Sequence, residues 1–186
     1  MEKFEQRKKD VLSKSDKSFI GKWDEKIKKL CDKINSLKNY YTTSSCSGRI
    51  LLMINQEKKG ENLFLFVSHE KISFKKLKVE LNKLIKKNKK IKFKLEPCIL
   101  HIACEKIDDA EKLFEKGKNA GFKRLGIIGT SHGFTFELNS TEKLEFPIIQ
   151  NKKILVNDKF LKIAVDEANK KLEKSWEKIR KLEKGI

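Results

Sequence analysis

Two tyrosines, Tyr40 and Tyr41, are followed by Thr42-Thr43-Ser44-Ser45-Cys46-Ser47-Gly48-Arg49 and then by an aliphatic run that starts at Ile50. Six small or hydroxyl side chains in a row, placed in a turn, offer hydroxyls and free backbone N–H groups to a carboxylate, a phosphate or the edge of a heterocycle. Gly48 lets a ligand approach the backbone closely, and Arg49 adds a charged fork for an anion. An ordinary Ser/Thr-rich loop has the same composition, so composition alone does not separate the two. Cys46 is small and expected to pack, since a reactive thiolate needs a lowered pKa. Two of the three histidines could move protons: His69 closes the apolar run before it, and His101 lies inside another. A neutral imidazole accepts a proton readily, but a lone histidine in such a place is often a satisfied structural residue. Glu96, just before Pro97, can orient a histidine or simply occupy an exposed strand position. His132 falls in an expected hairpin turn and is given no role.

The elements that must position these residues follow from hydrophobic periodicity. Ile27, Leu30, Cys31, Ile34 and Leu37 recur at helical steps and predict an amphipathic helix. Residues 50–54 and 63–67 are short apolar runs separated by a polar turn at 55–60, which reads as a hairpin. Ser73 can cap a helix with Phe74, Leu77, Leu81, Leu84 and Ile85 on one face. Ile91, Phe93 and Leu95 then alternate with Lys92, Lys94 and Glu96 as a half-buried strand, and Pro97 interrupts it before residues 98–104 continue. Asp108 with Glu111 resembles a capping box for a helix whose inner face is Ala110, Leu113, Phe114 and Gly117, and Gly121 can end it. Residues 122–128, 134–138 and 144–149 read as strands, and Leu161 to Leu182 as one long helix.

The predicted class is α+β, a mainly antiparallel or mixed sheet with helices packed outside it. The recurring helix-plus-strand units suggest an internal duplication. With two prolines and no low-complexity linker, residues 1–186 are expected to form a single domain: a helical region at 1–39, a strand-rich core with two helices at 40–156, and a C-terminal helix at 157–186. No strand is followed by a Gly-rich dinucleotide-binding turn with an acidic residue downstream, so a Rossmann-type sheet is not expected.

Composition narrows the partners. There are 44 Lys and Arg against 26 Asp and Glu, a net charge of +18 at pH 7. Such a field attracts polyanions, with RNA and anionic membranes the obvious candidates. A Lys-rich solvated surface, or adaptation to heat, gives the same count. Cys31, Cys46, Cys98 and Cys104 show no C-x-x-C spacing and are expected to stay reduced, with no metal bound. The first residues lack the apolar stretch of a signal peptide, and no run reaches the ~18 apolar residues of a membrane span. A cytoplasmic protein with no membrane partner, acting as a monomer, is expected.

The segment Thr42 to Ile50, nine consecutive residues, resembles the signature of the tRNA wybutosine-synthesising protein 3 family. The similarity continues in order through Asp16-Lys17-Ser18 with Gly21 and Asp24, then Phe66-Val67-Ser68-His69, then Glu96-Pro97 with Leu100-His101. Ala120-Gly121-Phe122 with Gly126-Ile127, Ser140-Thr141, Leu144-Glu145 with Pro147, and Ala168-Asn169 complete it. Leu125 and Asn139 depart from the pattern of other members, and the chain is similar to the stand-alone archaeal type. The resemblance implies transfer of a methyl group from S-adenosylmethionine to N4 of 7-(3-amino-3-carboxypropyl)-4-demethylwyosine, the modified guanosine 37 of phenylalanine tRNA. On that footing Ser45, His101 and His69 are the expected catalytic residues. Ser44, Cys46, Ser47, Gly48, Arg49, Glu96, Ser140 and Thr141 are the expected cofactor- and substrate-binding residues. Arg49 would anchor the cofactor carboxylate or a tRNA phosphate, and Glu96 the amine of the aminocarboxypropyl group. A non-catalytic tRNA- or ribosome-binding module is the competing expectation.

Overall fold

The computed structural model describes residues 2–14, 24–56, 63–131 and 133–186. Asp16, Lys17, Ser18, Gly21, residues 57–60 of the expected hairpin turn and His132 lie outside the described residues. The described residues form helices α1 (Glu2–Leu12), α2 (Glu25–Ser36), α3 (Phe74–Ile85), α4 (Ile107–Asn119) and α5 (Asp158–Gly185). The strands are β1 (Tyr40–Cys46), β2 (Arg49–Ile54), β3 (Phe64–Ser68), β4 (Ile91–Glu96), β5 (Ile99–Cys104), β6 (Arg124–Gly129), β7 (Phe134–Asn139), β8 (Leu144–Gln150) and β9 (Lys153–Ile154). They pair antiparallel in two sheets, ordered β1-β5-β7-β6 and β3-β2-β4-β8-β9. The class is the α+β one expected. Among the described residues no helix is long and apolar enough to cross a membrane.

Along the chain two helices come first, then strands with two helices among them, then a long helix, but compactness cuts across that order. Strands distant in sequence pair, so the chain divides into two units of interleaved segments. The first comprises Met1–Ser47, Cys98–Thr141 and Ser175–Ile186; the second comprises Gly48–Pro97 and Glu142–Lys174. Each unit holds one sheet. In the first, the second and fourth strands in chain order, β5 and β7, form the central pair; in the second, of five strands, β4 is central, between β2 and β8. The suggested duplication is therefore a likeness of class and not of strand order.

In the first unit one face of the sheet carries Tyr40, Leu100, Ile102, Phe136 and Leu138, all buried. They share the core with Ile27, Leu30 and Ile34 of α2, Ala110 and Leu113 of α4, and Ile179 and Leu182 of α5. α2 is tied to β1 by Asn35, which accepts from the Thr42 N–H at 2.8 Å and donates to its hydroxyl at 3.1 Å. α4 starts earlier than expected. Asp109, not Glu111, accepts the Lys106 N–H at 3.1 Å, and the Asn39 amide also donates to it. Phe114 of the expected inner face is 39% exposed. Closer contact is made at Gly117, where an added Cβ would meet Leu125 and stand 2.8 Å from Leu138. Leu125, a departure from the family pattern, thus fills the space the glycine leaves. Gly121 (φ 93) ends the helix as expected, with Phe122 N–H bonded to Gly117 C=O at 3.0 Å. On the sheet's other face, Phe4 of α1 packs on Tyr41 with ring centroids 5.1 Å apart, above Ala103.

In the second unit α3 is capped by the Ser73 hydroxyl, as expected. Its Leu77, Leu81 and Leu84 are buried together with Leu161, Val165, Ala168 and Leu172 of α5 and with Ile50, Leu52, Ile91, Phe93 and Leu95 of the sheet. Phe93 stacks on Phe146 at 5.1 Å, and Phe146 meets Phe160 edge-on. Asn169 grips the backbone of Ile72 through both its amide groups, at 3.0 and 2.8 Å, which makes it a structural residue.

Candidate active site

Residues 42–46 are not in a turn. The segment is strand β1, paired along β5, because Tyr40 to Thr42 continue a regular ladder and the hydroxyl residues after them extend it. Only Ser47 and Gly48 lie between strands, and Gly48 adopts φ 104, a conformation that favours glycine.

The ladder has one irregularity with consequences. Thr42 pairs with Ile102 and Ser44 with His101, so Thr43 is an extra residue, a β-bulge. Directly paired residues share a face of an antiparallel sheet. The bulge therefore puts Ser44 on the face of His101, and Ser45 with Leu100 on the face that the helices cover. There the Ser45 hydroxyl bonds the Cys31 thiol, whose pKa burial pushes up to about 12. Cys31 is a packing residue, as expected.

His101 is followed across the sheet by Glu137 on β7 and by Gly126 on β6. His101 Nε2 and Glu137 Oε2 are 2.9 Å apart, with about a quarter of each side chain exposed, 25% and 28%. A carboxylate at that distance accepts the Nε2 proton of a neutral imidazole and leaves the Nδ1 lone pair as the basic site. Gly126 leaves the far side of Glu137 open, since a Cβ there would meet nothing within 4 Å. Ser44, His101 and Glu137 thus form one polar row on a face that is otherwise a β-sheet. Glu137 was not singled out from the sequence. Its alternation with Phe136 and Leu138 marks it as outward-facing, but its partner is set by strand pairing.

Further along the same unit, Ile99 on β5 is flanked by Cys46 on β1 and Asn139 on β7. Ser47 follows Cys46, is fully buried, and gives its N–H to Asp24 Oδ2 at 2.8 Å. Its hydroxyl, and the Oδ1 of Asn139, are buried with no hydrogen-bond partner among the described residues. Leaving such atoms unpaired costs roughly 1–3 kcal/mol each, so each needs a partner beyond the described residues, a water or a ligand. Ser140 does not join them. It is fully buried, bonds Ser175 Oγ at 3.1 Å through its hydroxyl, and gives its N–H to Cys98 C=O at 2.9 Å. Thr141 is exposed.

In the second unit Arg49 and Glu96, which the sequence suggested for separate roles, are partners. Arg49 Nε donates to Glu96 Oε2 at 2.7 Å, and Lys94 Nζ lies 3.0 Å from the other oxygen. Burial works against ionisation of Glu96, but the bonds from Lys94 and Arg49 outweigh it and hold the pKa below its ordinary value. His69 sits half-buried just after β3 in this unit.

The chain matches the family described as Methyltransferase TYW3 over residues 6–186. It is 35% identical over 184 residues to the tRNA(Phe) 7-((3-amino-3-carboxypropyl)-4-demethylwyosine(37)-N(4))-methyltransferase of Thermococcus sibiricus, covering 97% of this chain and 92% of that one. It is 34% identical to the tRNA wybutosine-synthesizing protein 3 homolog of Danio rerio, covering 96% of this chain and 72% of the relative. Among solved structures it is similar to the PH1069 protein of Pyrococcus horikoshii, with a TM-score of 0.86, 32% identity, and coverage of 98% and 93%. Matched over almost its whole length in sequence and in fold, the chain belongs to the TYW3 methyltransferase family.

Proposed function

We propose that this chain is an S-adenosylmethionine-dependent methyltransferase of tRNA(Phe) that methylates N4 of 7-(3-amino-3-carboxypropyl)-4-demethylwyosine at position 37. The observation that carries the mechanism is the His101–Glu137 pair at 2.9 Å on an accessible sheet face. When bound, S-adenosylmethionine supplies an electrophilic methyl group on a sulfonium. The residues of this chain must hold the ring nitrogen in line with it and take up the displaced proton. In that transfer His101 Nδ1 would take up the proton that the ring nitrogen gives up on gaining its methyl group. Glu137, accepting from Nε2–H, fixes the tautomer that makes Nδ1 the acceptor and stabilises the imidazolium that results. Ser44, on the same face, is placed to orient the base.

The fit of the methyl donor rests on the two orphaned atoms. The Ser47 hydroxyl and Asn139 Oδ1 are buried acceptors in search of donors, and ribose hydroxyls or an adenine amine are donors of that kind. Those two residues would hold it. We further take the chain to be a cytoplasmic monomer, because a charge of +18 opposes self-association; sedimentation should give a single species near 21.7 kDa. The experiment is titration calorimetry with S-adenosylmethionine, followed by single-turnover methylation of modified and of unmodified tRNA(Phe). Binding, with a strong preference for the modified tRNA, supports the proposal. A folded protein that binds tRNA but never S-adenosylmethionine is a binding module and overturns it.

A further inference from the structure

Three rows of paired residues cross the outer face of the first unit's sheet. The first is Tyr41, Ala103, Thr135 and Gly129, and Phe4 of α1 packs on its Tyr41–Ala103 end. The second is Ser44, His101, Glu137 and Gly126, the row of the histidine–carboxylate pair. The third is Cys46, Ile99, Asn139 and Arg124. A helix thus covers one corner of the face, while the edge strand β6 is open, since a Cβ on Gly126 would meet nothing within 4 Å. A ligand can reach the second row over β6, and Arg124 stands beside that opening. From His101 it is two strands across and one row along, roughly 12 Å between Cα positions by strand spacing and rise.

Arg124 is exposed, and so are Lys118 and Lys123; none of these three side chains has a hydrogen bond or ion pair among the described residues. Residues 116–136 hold four cations, Lys116, Lys118, Lys123 and Arg124, and no Asp or Glu. Lys116 and Lys118 lie in the last turn of α4, where the helix dipole by itself favours a cation. Gly121 then ends the helix, so that account does not extend to Lys123 and Arg124. Charges on an edge strand also deter pairing with another chain, but that role calls for them along the strand, and residues 125–129 carry none.

We infer that Lys123 and Arg124 dock backbone phosphates beside the base that is methylated, so that the anticodon arm lies over β6 with its base on the His101 row. This rests on the methyltransferase proposed above and names the surface on which its RNA lies. A polyanion fits the pair better than a zwitterion does. Glu137 is the one acid in the three rows, and His101 already engages it, so a ligand's ammonium would meet like charge. Two adjacent cations instead match the repeated charge of an RNA strand.

The test is filter binding of unmodified tRNA(Phe), and of an RNA hairpin of its anticodon arm alone, to the full chain over a range of salt. K123Q with R124Q should weaken both RNAs about ten- to hundredfold at low salt and flatten the slope of log affinity against log salt by roughly 0.7 for each phosphate released. K181Q with K184Q, which removes the same charge from exposed positions near the end of α5, should change either affinity by less than about threefold. R124K should bind nearly as wild type does, because a phosphate accepts a point charge. Calorimetry should find S-adenosylmethionine bound equally by all of them. If the double variant does not fold, K123Q and R124Q singly carry the comparison, each with a smaller loss. Equal weakening by the two double variants reduces the effect to net charge, and no weakening assigns the pair to solvent. Weakening of the whole tRNA but not of the hairpin moves the contact to another arm. Each of these overturns the inference, as does a loss confined to S-adenosylmethionine. Binding is read without turnover, so a wild type that holds both RNAs as described but transfers no methyl overturns the methyltransferase proposal and supports the docking surface.

Discussion

Glu137 faces His101 directly across the β5–β7 ladder, with 2.9 Å between carboxylate oxygen and Nε2. In the proposed reaction Glu137 orients His101 without touching the base that is methylated. H101A should lower single-turnover methylation by roughly 100- to 10,000-fold, the usual cost of losing a general base. E137Q should lose less, because Gln offers either a donor or an acceptor to Nε2 and so holds both tautomers. Because about three-quarters of each side chain is covered, turnover of both variants should be normalised to the folded fraction read from a melt. An H101A protein with normal turnover in its folded fraction would make the pair merely structural.

The bulge at Thr43 separates two neighbouring serines. S44A should reduce turnover with little effect on stability, because Ser44 is exposed beside His101. S45A should leave turnover near normal and cost about 1 kcal/mol of stability, by removing the partner of the buried Cys31 thiol. Parallel denaturant melts and turnover assays of the two variants decide it; the reverse pattern would restore Ser45 to the reacting centre.

Why the sequence could not tell which face each serine occupies is a matter of register. Alternation identified the outward residues of β4 and the helical stripes of α2 and α3, because periodicity is local. A bulge has no local mark in Thr42-Thr43-Ser44-Ser45, and one extra residue moves every later side chain to the other face. Glu137 was hidden for the same reason, since its meeting with His101 depends on two strands 36 positions apart finding each other. Arg49 and Glu96 were recognised singly, and their contact was equally non-local. Asp109 displaced Glu111 as the helix cap because Asn39, far back in the chain, also donates to it. The motif stretches were legible as motifs, and the geometry within them was not.

Two sets of lysines in the second unit contrast. Lys78, Lys83, Lys92 and Lys94 are in ion pairs. Lys86, Lys87, Lys89 and Lys90 are exposed around Asn88, whose φ is 47, and none has an ion pair among the described residues. Four unneutralised cations on one turn suit an RNA backbone. Reversing all four charges should weaken tRNA binding and flatten the slope of log affinity against log salt, by roughly 0.7–0.9 for each phosphate no longer neutralised. An unchanged affinity and slope assign the turn to solvent.

Glu96 gives the fold an acid-sensitive contribution. Its folded pKa is depressed, so the stability it lends is present above the unfolded value, about 4.3 for an ordinary Glu, and is lost as pH falls through the folded one. Denaturant midpoints should decline below about pH 4.3 in wild type, and E96Q should be less stable at neutral pH and decline less there. Equal slopes in the two proteins would mean that Arg49 and Lys94 do not stabilise the ionised carboxylate.

The most direct test is the reaction. The protein should be incubated with S-adenosylmethionine and tRNA(Phe) bearing the aminocarboxypropyl demethylwyosine, and the RNA then digested to nucleosides for mass spectrometry. The wild type should add one methyl group to that nucleoside and to no other, and H101A almost none. No added methyl from a folded wild-type protein given both substrates would contradict the proposed activity.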